Sequence, residues 1–177
     1  MKDTIKVTGK ICAVLTRADG TVENYETTNT VTNDGDLYYA ERGAGQAVPT
    51  DFTNTSGTFD GIMELYTATG SGAVAKGNDR SDLGTLTTDS AKAMDSGYPK
   101  VNDLDSGNSG KGTDVVTYKV SYTTAEAIGS DIDDVCITNP SPGSSENLLF
   151  HAAGLGTFAK TSSDTLVVYI NHTFNGT

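Results

Sequence analysis

The stretch Lys160 to Phe174, KTSSDTLVVYINHTF, opens as a turn and continues as a long alternating strand. Thr161, Ser162, Ser163 and Asp164 carry short oxygen-bearing side chains that hydrogen-bond nearby backbone, which is turn chemistry. Leu166, Val168, Ile170 and Phe174 then fall on one face at period two, while Val167, Tyr169, Asn171 and Thr173 fall on the other. A strand with one strongly apolar face needs a second layer to cover it, so the stretch predicts a layered β structure.

The same period recurs through the chain. Asp114 to Thr124 places Val116, Tyr118, Val120 and Tyr122 on one face and reads as a central strand. Ile5 to Leu15 is a strand with Ile11, Ala13 and Leu15 together and with Gly9 as an expected bulge or break. Ala18-Asp19-Gly20 turns it into a Thr-rich return strand, Val22 to Thr32. Asp34 is the expected cap of a helix of one or two turns over Leu37 to Arg42, stopped by Gly43-Ala44-Gly45 and plugging an end of the structure. Gln46 to Gly57 reads as loop, Phe59 to Ala68 contains a strand, and Ile132 to Thr138, Leu148 to Ala153 and Gly156 to Ala159 supply three more. Ala125 to Gly129 reads as a helical turn, and Asn139-Pro140-Ser141-Pro142-Gly143 as a break. About eight strands with polar turns predict an all-β sandwich.

Composition sets the bounds. A chain of 177 residues suits a single domain, 1–177, large enough to bury a core without disulfides or metals. Hydrophobic residues are only 36% of the chain and tryptophan is absent, a balance that favours short strands and many turns. The formal net charge of -11 opposes a nonspecific hold on nucleic-acid phosphates. The start, MKDTIKVTGK, has no apolar core of a leader, and no window approaches a membrane span, so synthesis in a cytosol without membrane contact is expected. Cys12 and Cys136 sit in apolar runs and read as reduced, buried residues. Residues 69–112 form a polar, Gly-rich excursion holding two brief strand-like patches, Leu83 to Thr87 and Tyr98 to Leu104.

Three blocks carry a family resemblance. Lys160-Thr161-Ser162-Ser163-Asp164-Thr165-Leu166 and the strand after it resemble the closing strand of small all-β virion proteins of tailed bacteriophages. Asn29-Thr30-Val31-Thr32-Asn33-Asp34-Gly35, followed by Leu37-Tyr38-Tyr39-Ala40, is similar to the lead-in to their short helix. Glu146-Asn147-Leu148-Leu149-Phe150 is similar to their Glu-x-Gly-Leu-Phe strand, with Asn147 in the glycine position and Tyr169 where those proteins have tryptophan. The resemblance implies a jelly-roll-like sandwich and a noncatalytic capsid decoration or cement protein on the virion exterior. Its implied partners are the major capsid protein and further copies of itself, as a trimer or dimer, assembled in the host cytoplasm. Met1 to Lys10, as an N-terminal arm, and the 69–112 excursion are the expected intersubunit contacts. A tail, neck or fibre component is the alternative within virion proteins, and a glycan-binding β-sandwich module the alternative outside them. An immunoglobulin-like sandwich also suits the strands, although its Cys, Trp, Cys spacing is missing.

Residues with chemical potential read as structural. His151 and His172 lie in strands, without a nucleophile elbow or a paired ligand nearby. Gly107-Asn108-Ser109-Gly110-Lys111-Gly112-Thr113 has the wrong spacing for a phosphate loop. Asp103 and Asp105 lack the distal glutamate of a calcium loop, and Asp131, Asp133 and Asp134 read as a solvated turn. Tyr25, Tyr38, Tyr39, Tyr98 and Tyr169 are the aromatics a sugar-stacking site would use, but core or interface packing is the expected role. Asn54, Asn171 and Asn175 match the glycosylation pattern, a coincidence in a cytosolic product. No catalytic residue, cofactor or metal is assigned, and an enzyme is the weakest alternative.

Overall fold

The computed structural model describes residues 5–46, 52–68, 74–101, 114–140, 148–152 and 154–176. Its strands are β1 (Ile5–Thr16), β2 (Val22–Val31), β3 (Ile62–Thr67), β4 (Lys92–Ala93), β5 (Lys100–Val101), β6 (Val115–Tyr122), β7 (Gly129–Thr138), β8 (Leu148–Ala152), β9 (Phe158–Lys160) and β10 (Thr165–Gly176). The one α-helix among the described residues, α1 (Asn33–Gly43), follows β2, and a single 3-10 turn spans Arg80–Asp82. The chain is an all-β sandwich. The strand number exceeds the expected eight because β4 and β5 are two residues long, too short to show an alternation.

The closing strand β10 is central. It pairs antiparallel with β1 from Ile5–Gly176 to Thr16–Thr165, and with β6 from Leu166–Tyr122 to Thr173–Val115. This register lines the alternating residues up in rows across three strands: Ile11, Ile170, Tyr118; Ala13, Val168, Val120; Leu15, Leu166, Tyr122. Every one of these nine side chains is buried. Each full burial of a large apolar side chain contributes about 1.5–3 kcal/mol, and a one-residue slip would turn a whole strand's set outward, so the pattern enforces the register.

The first sheet runs β2-β1-β10-β6-β5 and the second β4-β3-β7-β8, with β9 beside the start of β7. The pairings nest: β1 with β10, β2 with β8, β3 with β7, β5 with β6. These antiparallel pairings build the two layers of the sandwich, with β10 between β1 and β6 rather than next to β3. On one side β2 spans both sheets, since its last residues Thr30 and Val31 pair with β8. On the other, residues 92–101 make the crossing: β4 pairs with β3, the Asp95 amide donates to the Lys119 carbonyl at 2.9 Å, and β5 pairs with β6. Neither long side of the sandwich is left as a bare edge in the stretches these segments cover.

Residues 74–101 of the polar stretch have little regular structure, yet they are bound to the sandwich. The Thr87 amide donates to the Leu65 carbonyl and the Thr67 amide to the Thr85 carbonyl, extending the edge of β3. Leu83 packs with Tyr66 and Cys136 on the outer face of the second sheet. The expected patch at Leu83 to Thr87 thus lies against β3, whereas residues 69–73 and 102–113 are outside the described set.

Two local expectations change. Gly9 makes no bulge, because pairing to both neighbours continues through it. The helix cap is Thr32, whose Oγ1 accepts from the Gly35 amide at 3.1 Å, rather than Asp34. Thr32 is extended, as a cap must be, and this starts α1 early enough to give it 11 residues, with Asp34 and Asp36 in its first turn where the helix dipole favours anions. Tyr38 of α1 meets the rings of Phe52 and Phe59, and Tyr39 that of Phe174, so the helix packs across the end where β1 begins and β10 finishes.

Candidate functional site

The α1 end of the sandwich holds a buried polar cluster. His172 continues the core face of β10, and its cross-strand neighbours are Val116 on β6 and Gly9 on β1, with Asn29 of β2 beyond Gly9. Gly9 lacks a side chain, which lets the Asn29 amide pass over it and place Nδ2 3.0 Å from His172 Nε2. His172 Nδ1 is bonded to Tyr39 Oη, and Tyr39 Oη lies 3.0 Å from Tyr118 Oη. With Nε2 accepting from Asn29, the imidazole proton sits on Nδ1 and is donated to Tyr39, which in turn donates to Tyr118. Phe150 from the opposite sheet closes the site, its ring 5.3 Å from that of His172.

Burial dominates the electrostatics. His172 is completely inaccessible, and desolvation pulls its pKa down to about 3, so the ring is neutral at ordinary pH. The hydroxyls of Tyr39 and Tyr118 are pushed up, chiefly by the same desolvation. A neutral, enclosed imidazole with both nitrogens engaged is a strut between α1 and the two sheets.

Beside this cluster, and open to solvent, is a groove of about 740 Å³. Val7, Val116 and Phe174 of the first sheet form one wall, and Tyr38 and Arg42 of α1 the other. Such a volume and a mostly apolar lining are those of small-molecule sites.

The other sites singled out in the sequence are spent on structure. Asp133 accepts three backbone bonds, from Gly154 at 3.1 Å, Gly156 at 3.0 Å and Thr157 at 3.1 Å, and fastens the loop before β9. Asp134 is buried on the covered outer face of the second sheet and Asp131 has a positive φ of 56° in a bulged part of β7, so the three carboxylates do not converge. Among the described residues no group of His, Cys, Asp and Glu has metal-binding proximity. Cys12 and Cys136 are buried free thiols. Tyr25 stacks on Phe158 at 4.6 Å, and Lys119 lies over the rings of Tyr98 and Tyr169. His151 is in β8 opposite Thr30 and Cys136. Asp103, Asp105 and the Gly107 to Thr113 loop are outside the described residues.

Two clusters escaped the sequence reading. Glu64, almost wholly buried, is bonded to Arg80 at 2.8 Å and to Tyr66 Oη at 2.5 Å, beneath the segment that covers the second sheet. Asn29 had no signal of its own, but a glycine in mid-strand is a sign of close approach by another group, and Gly9 could have been read that way. Comparison with known proteins gives no match: no family model, no curated protein and no solved structure matches the chain.

Proposed function

We propose that the protein is a noncatalytic structural subunit of a tailed-phage virion, a decoration or cement protein that binds the outside of the capsid and bridges neighbouring capsomers. The observation that carries this reading is the use to which the Lys160–Leu166 motif is put. Lys160 is buried and donates to the Thr123 carbonyl at 2.8 Å, while Asp164 accepts from the Thr161 amide and hydroxyl at 2.8 Å each and from Arg17 at 3.2 Å. Arg17 is in turn bidentate to Glu23, at 2.6 and 2.9 Å. The residues on which the resemblance rests therefore lock two turns together, and their job is rigidity.

A rigid block with a strongly acidic surface suits docking on a more basic shell, where each bound copy adds stability by mass action. Further copies of the chain, as a dimer or trimer, and the major capsid protein are the partners. Val22 and Leu37, both about half exposed and outside the α1 groove, are apolar surface available for such contacts.

Imaging of particles assembled with and without the protein tests the reading. Density for the sandwich at regular positions on capsid faces is expected, together with greater resistance of the shell to heat. Density confined to the tail or neck would transfer the protein to that class, and none on any particle would end the proposal. Residues 5–10 of the expected arm are built into β1 against β10, so the arm is tested by removing residues 1–4, which should lower capsid occupancy; unchanged occupancy would reject it as a contact.

A further inference from the structure

The groove beside α1 contains two groups that the fold leaves unused. Tyr38 is more than nine-tenths buried among the rings of Phe52, Phe59 and Tyr39, yet its hydroxyl makes no hydrogen bond to a described residue. Its neighbour Tyr39 does the opposite and ties its hydroxyl to Tyr118 and His172. That hydroxyl is not enclosed, since it is not one of the few sealed side-chain atoms without a partner among the described residues; the buried ring carries it out to the groove.

Arg42 is the second group. The chain has three arginines against 23 acidic residues. Arg17 is held by Glu23 and Asp164, and Arg80 by Glu64. Arg42 makes one hydrogen bond, to the Gly57 carbonyl at 3.1 Å, and no ion pair with a described residue. A place in the last turn of α1 accounts for its charge through the helix dipole, but not for the bare hydroxyl beside it. Tyr38 and Arg42 are four residues apart and so lie on one face of the helix, both lining the groove. Their proximity shows in the electrostatics, where the Arg42 charge offsets part of the rise that burial imposes on the Tyr38 hydroxyl.

We propose that this groove binds a small amphipathic carboxylate, its head taking the Tyr38 hydroxyl and the Arg42 guanidinium and its apolar body lying on Val7, Val101, Val116 and Phe174. A phenol O–H and the remaining guanidinium N–H groups are all donors, which selects an acceptor-only head. The apolar wall selects a chain or ring rather than a free inorganic anion. Asp36, the one carboxylate lining the groove among the described residues, is held by Lys76, and six residues along the helix separate it from Arg42, about 9 Å of axial rise. The site is independent of any role on a capsid and is tested on the purified protein.

Titration calorimetry with octanoate, and with octanamide as the uncharged control, decides it. Octanoate binds with Kd below about 1 mM, and octanamide at least tenfold more weakly. Tyr38→Phe, which removes only a hydroxyl without a partner, leaves the thermal midpoint in place and weakens octanoate several-fold. Arg42→Gln weakens it at least tenfold, and Arg42→Lys restores part of the loss. Equal affinity for octanoate and octanamide, no heat with either, or variants that bind like the parent would each overturn the proposal. So would sedimentation of the free protein as a dimer that Val101→Asp disperses, because a second copy would then occupy the groove.

Discussion

The side chain of Asn29 lies directly on the backbone of Gly9, so close that a Cβ built at Gly9 would stand 1.6 Å from Asn29 Oδ1. The contact exists because Asn29 must cross β1 to reach His172 on β10. Gly9→Ala therefore forces the amide away, strains the strand and breaks the bond to His172, at a cost of about 2–3 kcal/mol. Asn29→Ala should cost about 1–2 kcal/mol through the unpaired imidazole nitrogen. The double variant should lose little more than Asn29→Ala alone, since the clash is gone, and additive losses in urea unfolding would disprove the coupling.

Acid should destabilise the fold earlier than its carboxylates dictate. The pKa of His172 falls to about 3 in the folded state against 6.5 when exposed, so below pH 6.5 the unfolded chain binds the extra proton. Stability then drops as pH falls, by up to about 1.4 kcal/mol per unit, and is flat in this group's contribution above 6.5. Glu23 and Glu126, both held near 2 by their basic partners, act in the same direction but only below about pH 4.5. The window from 6.5 to 4.5 thus lies above both carboxylates, and replacement of His172 separates its contribution from that of His151, the other histidine of the chain. His172→Gln should lower stability at neutral pH and flatten the slope in that window; an unchanged slope would assign it elsewhere.

Glu64 depends on Arg80. Its side chain is 1% exposed and Arg80 24%, so Arg80→Met leaves a carboxylate stranded under the covering segment, at about 3 kcal/mol. Replacing both, as Glu64→Leu with Arg80→Met, should recover most of that loss, because the desolvation penalty leaves with the charge. Thermal midpoints of the two variants check the order, and a double variant less stable than the single one would contradict it.

Asp133 pins the loop at Gly154 to Thr157 through three amides, and Thr157 is held there at a positive φ of 46°. Asp133→Ala should cost about 2 kcal/mol and raise hydrogen exchange at the Gly156 and Thr157 amides well above that of β10. Thr157→Gly, by relieving the left-handed backbone, should stabilise the loop by a few tenths to about 1 kcal/mol.

Much of this architecture was legible along the chain. The alternation in Leu166 to Ile170, Val116 to Tyr122 and Ile11 to Leu15 marked three strands that prove to be neighbours, and Asp19-Gly20 marked the turn of the first hairpin, where Gly20 has a φ of 86°. The cap was misplaced by two residues because Thr32 and Asp34 have equally suitable side chains, and only the extended backbone at Thr32 separates them. Within residues 92–101 only the patch beginning at Tyr98, which contains β5, was legible, since a segment that crosses from one sheet to the other pairs for two residues at a time.

Period-two patterning and turn residues, acting over a few neighbours, were enough to determine strands, hairpin and a two-layered β class. The buried cluster and the groove were decided only by tertiary structure. Asn29, Tyr39, Tyr118 and His172 meet across up to 143 positions of chain, and whether a tyrosine hydroxyl is tied, as in Tyr39, or left bare, as in Tyr38, depends on what the opposite wall brings to it. Local sequence sets the direction in which a side chain leaves its strand or helix, while its chemistry is set by the desolvation and the partners that packing supplies.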